Sequence, residues 1–187
     1  MEKAMKKFPQ VEFTVNWRPY QLDATSPKEG QNKLAMYNQK FGAERIKQML
    51  PRLTEVFANV GLKYSLGGDT GNTLDSHRLA AWAMSKGGPV VQDKLMEEMF
   101  TNYFTEEKYL GDRQVLLAAA EKAGLDRKEA EAVLDSDMFE KEVQVEKKKF
   151  ARGVNGVPFF IVNGEPAVSG GQPPEVFEQI FEEALAA

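Results

Sequence analysis

The stretch Gly153-Val154-Asn155-Gly156-Val157-Pro158-Phe159-Phe160-Ile161-Val162-Asn163-Gly164 decides how the chain is read. A short apolar run, Val157 to Val162, stands between the turn dipeptides Asn155-Gly156 and Asn163-Gly164, which predicts a buried strand entered and left by tight turns. Pro166-Ala167-Val168-Ser169 then supplies a second strand, so the pair reads as a hairpin. Downstream, Val176, Phe177, Ile180, Phe181 and Leu185 recur at helical spacing and predict a closing amphipathic helix.

The same grammar appears at the other end of the chain. Val11, Phe13, Val15 and Trp17 alternate with Glu12, Thr14 and Asn16, a period of two that predicts a strand. Before it, Met1, Ala4, Met5 and Phe8 mark one face of a helix that Pro9 ends. No Ser, Thr, Asp or Asn precedes that helix, so the chain is expected to enter an element already under way. Between the two ends the pattern is helical from Asn32 to about Arg152, broken at Gly61–Gly71, Gly87-Gly88-Pro89, Gly111-Asp112 and Gly124-Leu125-Asp126. The expected organisation is an α/β unit made of residues 1–31 and 153–187, interrupted by a helical subdomain over residues 32–152.

Composition narrows the function. Lys and Arg number 24 against 28 Asp and Glu, and they are interspersed, which argues against a nucleic-acid partner. The one basic cluster, Lys147-Lys148-Lys149, follows Glu140, Glu142 and Glu146 at helical spacing and reads as a solvated face. No window reaches membrane-spanning length and no signal-peptide core is visible, so the expectation is a cytoplasmic protein without a membrane partner. Cysteine is absent, which removes disulfides, thiolate metal sites and thiol nucleophiles together. No His/Asp/Glu cluster has metal-ligand spacing, and Gly67-Gly68-Asp69-Thr70-Gly71 lacks the lysine and strand of a phosphate loop.

Several motifs carry a resemblance. Trp17-Arg18-Pro19-Tyr20-Gln21-Leu22, Pro27-Lys28-Glu29-Gly30, Asn72-Thr73-Leu74-Asp75-Ser76-His77-Arg78 and Gly153-Val154-Asn155-Gly156-Val157-Pro158-Phe159-Phe160 resemble, in order, signature segments of the FrnE-type branch of the DsbA-like proteins. Ser76 stands where that branch has Ala. Tyr103-Phe104, Gly111-Asp112, Gly124-Leu125 and Val168-Ser169-Gly170-Gly171-Gln172 fall on its later landmarks, and the likeness runs from Met1 to the C-terminus.

The resemblance implies a thioredoxin-like fold with a large helical insertion. It also implies a first strand and a Cys-x-x-Cys motif, which this sequence does not contain. That strand would lie between the strand at Val11–Trp17 and the hairpin, so three outcomes stand open: the two strands close on each other, another polypeptide inserts a strand, or the edges stay open. A rearranged sheet or a partner strand is the expectation, with self-association through the open sheet.

For function the resemblance implies thiol–disulfide oxidoreductase membership, with no disulfide reductase activity from this chain's own side chains. Two alternatives are a non-catalytic peptide-binding or assembly module, and a glutathione-dependent isomerase- or transferase-like protein related to kappa-type transferases and hydroxychromene carboxylate isomerases. Glutathione is thus the one cofactor left open. Expected ligands are an extended peptide or a small thiol, on Val157, Pro158, Phe159, His77 and Trp17. Pro158 reads as a cis-proline lining a substrate groove or as an ordinary strand start. His77 reads as a proton shuttle facing the ligand or as a satisfied core histidine. Trp17, Trp82, Phe100, Phe104 and Phe160 line a cleft between helices and sheet, or simply fill the core. Asn72 is expected to cap the helix that follows it.

Overall fold

The computed structural model describes residues 1–186. Among them are eight helices: α1 (Glu2–Met5), α2 (Lys33–Phe41), α3 (Ala43–Ala58), α4 (Leu74–Phe104), α5 (Arg113–Lys122), α6 (Arg127–Leu134), α7 (Glu140–Phe150) and α8 (Pro174–Ala186). Four short strands, β1 (Gln31–Asn32), β2 (Asp69–Thr70), β3 (Phe159–Val162) and β4 (Glu165–Ser169), form two antiparallel two-stranded ladders, β1 with β2 and β3 with β4.

Local chemistry explains most boundaries. Asn32, Asp112 and Asp126 each place a side-chain oxygen on backbone N–H groups in the first turn of α2, α5 and α6. The hairpin turns on Asn163 (φ 50°) and Gly164 (φ 90°), two successive left-handed residues that match the twist of β3 and β4. Helix α4 is two arms. Gly88 takes φ 66°, and the Gln92 side chain reaches back to the Ala80 carbonyl at 3.2 Å. Twelve residues of straight helix span about 18 Å, so that reach requires the arms at 74–87 and 89–104 to fold back on one another.

The apolar core lies in two clusters. Leu79, Trp82, Leu95, Met99, Leu116 and Leu117 belong to the first, among α4, α5 and α6. The second joins the chain ends: Ala4, Phe177 and Phe181 are buried, with Met1, Met5, Phe8, Phe13, Phe160 and Val168 packed on them. The aromatic residues read as lining one cleft are therefore divided, Trp82 in the first cluster and Phe160 in the second.

Four expectations need correction. Val11–Trp17 is not a ladder strand. Its burial alternates residue by residue as the period of two requires, yet residues 12–16 make no hydrogen bond among the described residues and the segment pairs with neither β3 nor β4. The two expected strands therefore do not close on each other. Second, α1 spans a single turn, followed by turns through Phe8, although the predicted apolar face is the one buried. Third, Leu185 is exposed, one turn beyond Phe181, the last fully buried side chain of α8. Fourth, the helical block has two breaks beyond those expected: Gly42, at φ 84°, divides α2 from α3, and residues 135–139 divide α6 from α7, while Pro51 sits inside α3.

Candidate functional site

The segment that follows the unpaired strand crosses the start of α4 and is held there by side chains. Asn72 is its organiser. Its Nδ2 donates to the Ala24 and Ser26 carbonyls, its Oδ1 accepts from Leu74 N at 2.9 Å and from Gln21 Nε2 at 3.2 Å, and its own N–H donates to the Pro27 carbonyl. The N-cap position itself falls to Thr73, whose side chain makes no cap bond, so Asn72 serves the helix start from one residue earlier. Gly71 is required beside it, because a Cβ there would stand 2.5 Å from both the Pro27 carbonyl and the Tyr109 hydroxyl.

His77 sits one turn into α4, half-buried, with Thr73 Oγ1 3.4 Å from its Nε2. Burial pushes its pKa down to about 4. The polar main chain of Tyr20 beside the ring opposes that shift, while the positive charge of Lys147 adds to it. Lys147, from α7, donates to Gln21 Oε1 at 2.6 Å, and the Tyr20 hydroxyl donates to the Val154 carbonyl at 3.3 Å. Tyr20, beside His77, is thus bonded to the loop that leads into β3. At neutral pH it is an uncharged imidazole, able to accept or donate one proton but carrying no charge of its own.

Trp17 faces elsewhere. Its backbone N–H and carbonyl both pair with the Gln92 side-chain amide, its indole N–H donates to Asp93 Oδ1 at 2.7 Å, and its ring packs edge-on against Phe100 with centroids 5.2 Å apart. Next to it, Arg18 pairs with Glu146 at 2.6 Å and lies over the Phe150 ring.

Val157, Pro158 and Phe159 form the third part. The Val157–Pro158 peptide is cis, and the Pro158 carbonyl accepts from Gly170 N at 2.8 Å, which ties the loop to the end of β4. Val157 and Pro158 are exposed and Phe159 is half-buried. No hydrogen bond or ring contact joins Trp17 or His77 to Pro158 among the described residues. The five residues predicted from sequence therefore occupy three separate places: an exposed loop, a half-buried histidine beside Tyr20, and a tryptophan clamped on the second arm of α4.

Sequence reasoning did not identify Gln92, Lys147 and Tyr20 as parts of this network. Glutamine inside a helix and lysine in a charged run carry no local signal of their partners. Tyr20 was visible only as a member of its motif.

A hairpin backed by a helix, an extended segment resting on the same helix and a long helical block between them define a thioredoxin-like architecture with inserted helices. The comparisons agree. The family of DSBA-like thioredoxin domains matches residues 1–182, and the chain belongs to it. Among solved structures, a probable DsbA oxidoreductase from Streptomyces coelicolor is similar with a TM-score of 0.88 and 33% sequence identity, over 99% of this chain and 81% of that one. No curated protein matches the chain significantly. No helix among the described residues is long and apolar enough to cross a membrane.

Proposed function

We propose that this chain acts as the polypeptide-binding part of a FrnE-type DsbA-like protein, holding an extended peptide beside β3 and performing no disulfide exchange with its own side chains. The helical insertion over residues 32–152 frames the surface, and the cysteine-free sequence suits a cytoplasmic setting.

One observation carries the reading. Residues 12–16 alternate between half-buried and exposed, and among the described residues their backbone N–H and C=O groups have no protein partner while β3 has a ladder on one edge only. Phe13 and Phe160 rest on the same helix: the Phe13 ring meets Phe181 at 4.8 Å and the Phe160 ring meets Phe177 at 4.9 Å, one turn apart on α8. Two unpaired backbone edges over one apolar floor suit an added strand, whose main chain supplies the hydrogen bonds and whose alternate side chains meet the α8 face. Val157 and Pro158, exposed at the entry to β3, stand where such a peptide would begin.

Amide hydrogen exchange tests this with a synthetic peptide of about nine residues alternating Val and Thr. The expected result is slowed exchange at both 12–16 and 159–162 on saturation. Binding that leaves both segments unprotected, or no binding, rules the reading out. Insulin reduction is expected to be nil in the same preparation.

A further inference from the structure

Residues 20–30 cross the start of α4 without entering the apolar core. None of them is buried, none belongs to either apolar cluster, and Leu22 is 72% exposed. What holds the segment is polar. Asn72 answers the carbonyls of Ala24 and Ser26 with its side chain and that of Pro27 with its N–H, Lys147 donates to Gln21, and the Tyr20 hydroxyl donates to the Val154 carbonyl. At the far end the Tyr109 hydroxyl donates to the Lys28 carbonyl at 2.9 Å and to that of Pro27 at 3.4 Å.

The Tyr109 contact is closely fitted. Gly30, Gly71 and Gly111 come to its side chain from three separate segments, and a Cβ on any of them would stand 3.0 Å or less from a Tyr109 side-chain atom. A segment held by polar contacts with little apolar burial opens at a lower free-energy cost than the core, so this one can leave while the helices stay packed. His77 lies at its first residue. The Tyr20 main chain stands beside the imidazole, and Lys147, which holds Gln21, is the charge acting on that ring. His77 is also the only histidine of the chain, and the peptide reading above gives it no part.

We propose that residues 20–30 are a latched strap: Tyr109 keeps it closed, it opens as a unit while the helical core stays folded, and opening uncovers the His77 imidazole. Tyr109 is thus a positioning residue. It acts on His77 through the strap and the Asn72 contacts rather than by touching the ring.

Diethyl pyrocarbonate tests this on the whole chain. It transfers an ethoxycarbonyl group to a neutral imidazole nitrogen, and with one histidine present the ultraviolet absorbance of carbethoxyhistidine can come only from His77. Burial keeps that ring neutral at neutral pH, so the rate reports access and not protonation. In the parent the reaction is expected to run well below the rate of N-acetylhistidine. Tyr109→Phe keeps the ring in place and removes both hydroxyl bonds, and is expected to raise the rate about tenfold. Gly71→Ala, which crowds the same hydroxyl, is expected to act likewise. Hydrogen exchange of the Asn72 amide, bonded to Pro27, is expected to quicken in step, while the amides of Leu95 and Met99 in the core keep their protection. Modification of the parent as fast as N-acetylhistidine, equal rates in the parent and Tyr109→Phe, or protection lost at Leu95 and Met99 together with Asn72 would each overturn the proposal.

Discussion

The side-chain amide of Gln92 pairs with the backbone of Trp17 at both of its groups: Oε1 accepts from Trp17 N at 2.9 Å, and Nε2 donates to the Trp17 carbonyl at 3.2 Å. One amide, buried in the fold of α4, thus occupies the place that a neighbouring strand would take at the end of the extended segment 11–17. Nε2 also donates to the Ala80 carbonyl, so the same group joins the two arms of α4 to that segment.

Replacing Gln92 by Leu keeps the volume and removes every one of these bonds. Two backbone groups of Trp17 lose their partner, and the expected cost is about 2–3 kcal/mol in urea denaturation. Gln92→Glu keeps the acceptor for Trp17 N but sets a buried carboxylate against the Trp17 and Ala80 carbonyls, so it is expected to cost at least as much as Leu. Equal stability of all three would show that water replaces the amide without loss.

His77 makes stability depend on pH in a defined window. Its folded pKa lies near 4 against 6.5 for the free side chain, so between those values the unfolded chain binds the extra proton. The stability associated with the neutral ring is whole above pH 6.5 and is lost as pH falls toward 4, by roughly 3 kcal/mol at most. His77→Gln is expected to flatten that part of the curve. Denaturation midpoints from pH 7.5 to 4.5 measure it, and an unchanged slope in the variant would assign the acid sensitivity to carboxylates.

Arg78 is buried, and its guanidinium donates to the carbonyls of Val133, Ser136 and Met138 while pairing with Asp75 at 2.7 Å. It thereby serves the C-terminal end of α6 and the turn toward α7. Arg78→Met takes the guanidinium from the Ser136 and Met138 carbonyls, leaves Val133 O to the Ser136 hydroxyl, and is expected to cost about 3–5 kcal/mol. Arg78→Lys is expected to recover less than half of that loss, because an ammonium lacks the planar fork that spans separated carbonyls. Thermal melts of both variants decide it.

Gly164 holds φ 90° in the turn between β3 and β4. Gly164→Ala forces a Cβ into a left-handed conformation and is expected to cost about 1 kcal/mol, read as a lower melting temperature with an unchanged far-ultraviolet spectrum. Gly156, whose φ is not positive and whose Cβ would meet nothing within 4 Å, is expected to accept Ala with little change.

By itself the sequence determined what is local. Asn163-Gly164 specified the hairpin turn, Gly87-Gly88-Pro89 the break in α4, and Asp112 and Asp126 the starts of α5 and α6, because each depends on backbone preferences and on hydrogen bonds that span only a few residues. It also determined which side chains of 11–17 face inward, since alternation is a property of the extended chain. Its motif segments pointed to Val157, Pro158, Phe159, His77 and Trp17 without placing them. Tertiary structure alone decided that residues 12–16 have no ladder partner among the described residues, that Trp17 is clamped by Gln92 75 residues away, and that Tyr20 and Lys147 act on His77. The physical reason is that a hydrogen-bond partner or a neighbouring charge distant in sequence leaves no mark on local periodicity. The backbone groups of Val11–Trp17 are the same whether a strand, a glutamine amide or water answers them, and only the packing of the helical arms selected among the three.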